Sequence, residues 1–388
     1  MTVKSLVLHI GDPKTGSSSI QEVLRHRLWE SPTATLIYPD QLNSFPLANA
    51  LSDPKQLAQR HARYSKLAEW LGGSDADVAV VSAEQFFRVD PQVLLETLTE
   101  YVPDLVGSLR VIAYVRPHAN RLVSAFMQRT KAGLYQGDME TFFKRTQNEN
   151  LLHYAPRFQS WRDVFGARFT LRPMIREQLR DGDVVLDFLD FTLRGAPFTL
   201  RGQPNANTSL PLEFLAGLRE VQSVLKRNEI AAGIRHSVGD YVGRALAKTT
   251  PGSGTKLHLS RALYEDVMAY CQSDAEALDT AFFHQPVMAT ALKDAGSDVI
   301  AINQDTLARM HYSEEAVQNL RVKARSLVGL FKKRPAAWNA AFEREIGQRP
   351  DDVDKKVPPA VRMHVTRVDS ILTEIAAIIS APSRIGDT

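Results

Sequence analysis

The chain has 388 residues, enough for one large domain or two of ordinary size. Its 44% hydrophobic and 23% charged residues are typical of a globular protein, and a net charge of +3 is too small to indicate nucleic-acid binding. No apolar run reaches the roughly 18 residues that a membrane-spanning helix needs. The single cysteine, Cys271, excludes an intrachain disulfide, and the short polar start leaves no room for a signal peptide, so we expect a cytoplasmic protein.

Four apolar segments predict buried strands. In chain order they are residues 5–10, 77–86, 109–116 and 168–174. Helical patterns separate them, and one such pattern begins directly after the first segment, near Ser17. Continuous apolar strands separated by helices indicate an α/β fold in which a central parallel sheet is covered on both faces.

The pattern becomes mostly helical from about residue 205. Helical spacing of apolar residues is clear in four segments, residues 211–228, 260–272, 313–331 and 360–380. Loop signals before the last of these predict a separate terminal helix. We expect one α/β domain over residues 1–312, with its helical part from about 205, and a helical C-terminal extension over 313–388. This helical half could supply the interface of a homodimer.

A glycine loop follows the first predicted strand, in the stretch LHIGDPKTGSSSI at residues 8–20. Gly11 and Gly16 let the backbone wrap closely around an oxyanion, and the helix that follows offers unpaired N–H groups at its positive end. Five side chains add donors or positive charge, namely Lys14, Thr15, Ser17, Ser18 and Ser19. The stretch is therefore a candidate anion site, and the alternative is an ordinary polar turn between a strand and a helix.

The position of the lysine decides between possible anions. An ATP-binding loop of the Walker type places Lys and then Ser or Thr directly after the second glycine. Here Ser17 follows Gly16, and Lys14 lies inside the loop. The second and third predicted strands also lack a terminal Asp suited to magnesium. These features argue against a nucleotide kinase or NTPase, and because the ten histidines are scattered and no HExxH motif occurs, we expect no metal.

Two motifs resemble the cofactor signatures of sulfotransferases that use 3′-phosphoadenosine 5′-phosphosulfate (PAPS). The order PKTGSSS resembles the family's 5′-phosphosulfate loop. In YVRPHANRLVSAF, Arg116 ends a predicted strand and Ser124 follows eight residues later, like the family's pair for the 3′-phosphate. The planar fork of arginine suits that task because it can bind two phosphate oxygens at once. The resemblance extends to about residue 312, with weaker likeness at residues 161–191, 205–210 and 301–312.

This resemblance implies a P-loop-type, three-layer fold and a transfer of the sulfuryl group from PAPS to an acceptor hydroxyl. By family analogy alone, the acceptor is a carbohydrate or a glycolipid. Lys14 would stabilise negative charge on the departing 5′-phosphate. The cofactor-binding residues that the resemblance implies are Lys14, Thr15, Gly16, Ser17, Ser18, Ser19, Arg116 and Ser124.

The acceptor hydroxyl needs a general base, and our candidate is Glu84. It follows a predicted central strand, at the sheet edge where ligands bind in open α/β folds. The alternative is a solvated or ion-paired carboxylate. Bacterial relatives often have a histidine shortly after a pair such as Tyr38–Pro39, and this chain has none there. His9 is more typical of a packed core histidine.

Three residues carry weaker indications. His61 and Arg63 could face an acceptor, but the segment is more typical of a solvated helix face. Arg172 could approach the cofactor or form a structural ion pair. Two functions besides a sulfotransferase stay open: a P-loop nucleotide kinase or NTPase, and a catalytically silent protein that binds PAPS or its product PAP, 3′,5′-adenosine bisphosphate, on the same fold.

Overall fold

The computed structural model describes residues 3–202, 210–249, 254–301, 311–346 and 358–381. The segments at 205–210 and 301–312, where the weaker family likeness occurs, lie mostly outside these residues. The described chain packs as two units. The first comprises Met1–Arg121, Leu151–Asn207 and Tyr270–Lys293, and the second comprises Leu122–Asn150, Thr208–Ala269 and Asp294–Thr388. The expected boundary at residue 312 stays a prediction.

A five-stranded sheet forms the centre of the first unit. In sheet order its strands are β3 (Leu36–Ile37), β4 (Val78–Ala83), β1 (Leu6–Ile10), β5 (Arg110–Val115) and β6 (Phe169–Pro173). Every neighbouring pair is parallel, so the carboxyl ends of the strands meet at one edge. The expected parallel α/β sheet is confirmed. Four strands match the four apolar segments, whereas β3, only two residues long, was not predicted.

Helices connect the strands. Their bounds are α1 (Ser17–Arg25), α2 (Phe45–Ser52), α3 (Arg60–Gly72), α4 (Pro91–Tyr101), α5 (Pro103–Val106), α6 (His118–Lys131), α7 (Met139–Asn148), α8 (Ala155–Phe165) and α9 (Val184–Leu193). Two short strands, β2 (Trp29–Glu30) and β7 (Thr199–Leu200), pair antiparallel in a separate ribbon.

Helices cover both faces of the sheet because successive side chains of a strand point to opposite sides. On one face, α1 and α9 pack against residues such as Val7 and Ile112. On the other face, Phe158 and Trp161 of α8 contact the ring of Phe169 in β6. β1 lies in the middle of the sheet and is buried along its whole length, which explains its continuous apolar sequence.

The C-terminal half is mostly helical, as expected. Its helices are α10 (Leu212–Arg227), α11 (Ala232–Thr249), α12 (Arg261–Leu278), α13 (Val287–Asp294), α14 (Glu314–Lys333), α15 (Pro335–Glu345) and α16 (Pro359–Ser380). Five of them, α10, α11 and α14–α16, share the apolar core of the second unit. Within the described ranges, no helix combines the length and apolar character that crossing a bilayer requires.

Gly16, where the glycine loop meets α1, has a left-handed backbone with φ of 81°. A Cβ atom at this position would lie 2.6 Å from Cγ1 of Val184. Gly195 has a similar φ of 77°, but a Cβ atom there would meet nothing within 4 Å. A comparison of alanine substitutions at the two glycines therefore separates the cost of backbone strain from the cost of a steric collision.

We predict that Gly16→Ala lowers the free energy of unfolding by more than Gly195→Ala does. Both substitutions force alanine into the left-handed region, at a cost of roughly 1–2 kcal/mol, and only the first adds a collision with a core side chain. Urea unfolding of the two variants and the wild type measures the difference. Equal losses in the two variants would contradict the close packing of Gly16 on α9.

Candidate active site

The loop between β1 and α1 is held in shape by its own polar groups. Lys14 has φ of 76° and Gly16 has φ of 81°, so two left-handed residues reverse the chain ahead of the helix. The Thr15 hydroxyl is fully buried and donates to the Asp12 carbonyl at 2.6 Å. The Thr15 side chain thus stabilises the turn. A left-handed lysine costs about 1–3 kcal/mol, the kind of strain that surrounding contacts must offset.

The N-terminus of α1 contains a buried hydroxyl group, that of Ser17, and lacks a side-chain cap. Gly16 precedes the helix, and no side chain caps it. The Ser17 side chain is buried, with the residue 1% exposed, and its hydroxyl makes no hydrogen bond of ordinary geometry among the described residues; the Glu84 carboxyl is the group close enough to interact with it. Buried hydroxyl groups normally make such bonds, so one without them at a helix N-terminus indicates a place for an oxyanion. Ser18 is exposed and Ser19 half-buried on the same turn.

Glu84 lies directly beside this loop. It is the first residue of a short 3-10 helix, Glu84–Arg88, which follows β4 at the carboxyl edge of the sheet. A Cβ atom on Gly11 would lie 2.6 Å from the Ser17 hydroxyl and 3.2 Å from Cγ of Glu84. Gly11 is therefore flanked by both side chains, and only a residue without a Cβ atom lets them come this close.

Burial raises the pKa of the Glu84 carboxyl above its ordinary value. The positive charges of Lys14 and Arg121 oppose this shift, Asp12 adds to it, and the nearby Ser17 hydroxyl lowers the pKa slightly. A carboxylate with a raised pKa is a better proton acceptor near neutral pH than an ordinary glutamate.

Two arginines hold the side chain of Asp12, which is only 1% exposed. Arg121 of α6 donates from Nε to Oδ2 at 3.0 Å, and Arg157 of α8 donates from Nη2 to Oδ1 at 2.7 Å. Burial lowers the pKa of Arg121, but the charge and hydrogen bond of Asp12, together with Tyr154 and Glu84, outweigh it and the net shift is upward. The loop is thus fixed to two helices through one buried carboxylate.

Arg116 connects the second motif to the first. It follows β5 and donates from Nη1 to the carbonyl oxygen of Lys14 at 3.1 Å. Burial and the neighbouring charge of Arg121 both lower its pKa. Ser124 is half-buried on α6, within the second packing unit. Of the residues proposed from the sequence, the structure brings the loop, Glu84 and Arg116 together in the first unit.

His9 is a packed core residue. Its ring is fully buried, lies near Tyr114 and Phe188, and hydrogen-bonds through Nδ1 to the Ser82 hydroxyl at 2.8 Å. Burial lowers its pKa to about 3, so the ring is neutral at physiological pH. Its packing therefore stabilises the end of β1.

The weaker candidates have structural partners. The exposed His61 hydrogen-bonds to the Tyr101 hydroxyl at 2.9 Å. Arg63 donates to the Pro46 carbonyl and to the Gln56 side chain. Arg172 forms an ion pair with the buried Asp187. Among the described residues, no three His, Cys, Asp or Glu side chains cluster as metal ligands do.

Sequence reasoning missed the roles of Asp12, Arg121 and Arg157. Asp12 and Arg121 lie inside the two motifs, and an acidic residue within an anion loop is a signal that a buried counter-charge must be present. Arg157 had no such signal because it lies 145 residues after Asp12 on a helix whose pattern looks purely structural.

No protein-family model matches the chain, and neither does any curated protein sequence. The structure is similar to the crystal structure of a sulfotransferase from Alicyclobacillus acidocaldarius, with 11% sequence identity and a TM-score of 0.40. The match covers 75% of this chain and 99% of the other.

We predict that the stability difference between Glu84→Gln and the wild type changes with pH. A carboxyl whose pKa is raised in the folded state favours folding most below its unfolded pKa, and this contribution is lost as the pH rises through the folded pKa. Glutamine does not titrate, so the free energy of unfolding of the variant, relative to that of the wild type, should increase as the pH rises from 4 towards 8. Each unit of raised pKa corresponds to about 1.4 kcal/mol.

Urea unfolding at a series of pH values tests this, with exposed Glu69→Gln as the matched control. The prediction is wrong if the difference between Glu84→Gln and wild type is independent of pH, or if it falls as the pH rises.

Proposed function

We propose that this chain is a sulfotransferase that binds PAPS at the loop of residues 11–17 and transfers its sulfuryl group to an acceptor hydroxyl. The observation that carries the proposal is the buried Ser17 hydroxyl beside the Glu84 carboxyl at the uncapped start of α1. Lys14 belongs to the same loop, and Glu84 lies next to it. This arrangement combines oxyanion donors, a cation and a base within one short stretch of the sheet edge.

The residues present fit such a nucleotide. PAPS, when bound, supplies the sulfuryl group and a 5′-phosphate as leaving group. The first-turn amides of α1 and the Ser17 hydroxyl would bind oxyanions, and Lys14 would stabilise charge on the leaving oxygen. Arg116 and Ser124 would hold the 3′-phosphate, as the family resemblance implies. Thr15, Ser18 and Ser19 would contribute backbone or exposed hydroxyl donors of the same turn.

Glu84 would act on the other reactant. Its carboxylate would accept the proton of the acceptor hydroxyl, because the raised pKa makes it a stronger proton acceptor than an ordinary glutamate. Transfer of a singly charged sulfuryl group resembles loose phosphoryl transfer, in which positioning and charge stabilisation dominate. The protein therefore has to keep the base and the anion loop at a constant separation.

For the acceptor we propose a class of molecule. Family analogy favours a hydroxyl of a carbohydrate or a glycolipid. A kinase or NTPase would instead need ATP and magnesium at this loop, and a silent binding protein would hold the bisphosphate without turnover. The next two experiments separate these three functions.

We predict that PAP raises the melting temperature of the wild type, and that Lys14→Ala and Arg116→Ala each weaken its binding by about 10- to 100-fold. Hydrogen bonds to charged groups contribute about 1.5–3 kcal/mol, and a ligand stabilises only the state that binds it. Thermal unfolding with increasing PAP, or with ATP and magnesium, measures both ligands. Exposed Lys66→Ala and Arg325→Ala are matched controls and should bind like the wild type. Stabilisation by ATP and magnesium without any by PAP would overturn the proposal.

We further predict that Glu84→Gln lowers kcat for sulfuryl transfer by about 10²- to 10⁴-fold, the usual contribution of a general base. PAP affinity should change little, because the loop donors remain. Labelled PAPS and a panel of carbohydrate and glycolipid acceptors provide the measurement, with Glu69→Gln as control. If the wild type binds PAP tightly and transfers to no acceptor, a silent binding protein is the better account.

A further inference from the structure

Arg157 contacts two segments that the proposed reaction must keep together. Its Nη2 atom donates to Asp12 of the anion loop at 2.7 Å. Its guanidinium also lies 5.5 Å from the ring centroid of Phe87, which belongs to the 3-10 helix that begins with Glu84. One side chain thus contacts the loop that would bind the donor and the segment that carries the base.

The remaining surroundings of Arg157 hold its guanidinium in a defined place. The rings of Tyr154 and Phe158 lie 5.4 Å and 4.9 Å from it. The backbone N–H groups of Tyr154 and Ala155, at the start of α8, donate to Asp274 at 3.0 Å and 2.9 Å. The helix that carries Arg157 is therefore itself anchored at its first turn.

We propose that Arg157 is a positioning residue that sets the distance between the anion loop and the Glu84 segment. This inference rests on the proposed function. Arg157 donates to Asp12 and stacks near Phe87, so it acts on the reaction through those two residues.

Arginine suits this role for a geometric reason. The planar guanidinium can donate to a carboxylate along its edge while its faces contact aromatic rings. A lysine keeps the charge and the ion pair with Asp12, but its compact ammonium group has no flat face to pack beside Phe87. Arg157→Lys should therefore loosen the connection while leaving the net charge of the site unchanged.

Arg162 provides a matched control on the same helix. It too is an arginine over a phenylalanine, with its guanidinium 4.4 Å from the ring of Phe282. Its hydrogen bonds go to Gln159 and to the Ala281 carbonyl, neither of which belongs to the anion loop. Arg162→Lys therefore reports the cost of the same chemical change in α8 without the contact to Asp12.

Two readouts test the inference. The first is the number of protons taken up when PAP binds at mildly acidic pH, measured by calorimetry in buffers of different ionisation enthalpy. A bound anion close to Glu84 raises the pKa of that carboxyl, so proton uptake reports how close the two are. The second readout is kcat per PAP-binding site, which corrects for any unfolded fraction.

We expect Arg157→Lys to reduce the proton uptake and to lower kcat by about tenfold or more, because small displacements of reacting groups are costly. The Kd of PAP should change by less than about threefold, since Lys14, Ser17 and Arg116 remain. Arg162→Lys should match the wild type in all three quantities. Phe87→Leu should reproduce the pattern of Arg157→Lys, and the double variant should lose no more than either single one.

Unchanged proton uptake and unchanged kcat in a folded Arg157→Lys variant would overturn the inference. If that variant does not fold, Phe87→Leu decides by the same two readouts. Equal losses in Arg157→Lys and Arg162→Lys would show a general effect of α8 and would also overturn it. Failure of the proposed function is distinct, because the wild type itself would then neither bind PAP nor transfer a sulfuryl group.

Discussion

The ion pairing of the buried Asp12 carboxylate is the interaction on which the candidate site depends most. The carboxylate is buried in the loop that we propose binds an anion, and a buried negative charge is unfavourable unless it is paired. Arg121 and Arg157 pair with it from two different helices. An ion of this kind left without a partner in a protein interior costs about 3–5 kcal/mol, so the loop can be ordered only when α6 and α8 are both in place. The conformation of an early loop is thus determined by helices much later in the chain.

The same carboxylate affects the electrostatics of the candidate base. Asp12 offsets part of the arginine charge and raises the pKa of Glu84, while Lys14 and Arg121 lower it. Burial is the larger effect, and the net shift is upward. If Asp12 were neutral, the cations would act on Glu84 without its opposing charge, and the pKa of Glu84 would be lower. The residue that orders the loop therefore also helps to adjust the proton affinity next to it.

The sequence was sufficient for the parts of the fold that local patterns determine. Buried parallel strands are continuous apolar runs, so β1, β4, β5 and β6 could be predicted from the sequence. β3 could not, because two paired residues, Leu36 and Ile37, leave no pattern. The position of Glu84 at the carboxyl edge followed from the strand before it.

Side-chain partners across the fold were beyond the reach of local patterns. Arg157 belongs to the site through a contact with Asp12 that depends on tertiary packing, and nothing in the α8 sequence distinguishes it from Arg162. A polar loop has no regular apolar pattern, so its sequence also cannot reveal that the Thr15 hydroxyl donates to the Asp12 carbonyl and stabilises the turn. A hydroxyl in an anion loop can serve the ligand or the loop, and only the three-dimensional structure distinguishes the two.

The hydrogen bond from Arg116 to the Lys14 carbonyl joins the two motifs. Lys14 has a left-handed backbone, which is unfavourable for a residue with a side chain and needs support from its surroundings. Arg116 supplies part of that support from the end of β5. The guanidinium proposed to bind one end of the nucleotide therefore also stabilises the loop proposed to bind the other end. Loss of Arg116 would then remove both a proposed ligand contact and a hydrogen bond that supports the backbone of Lys14.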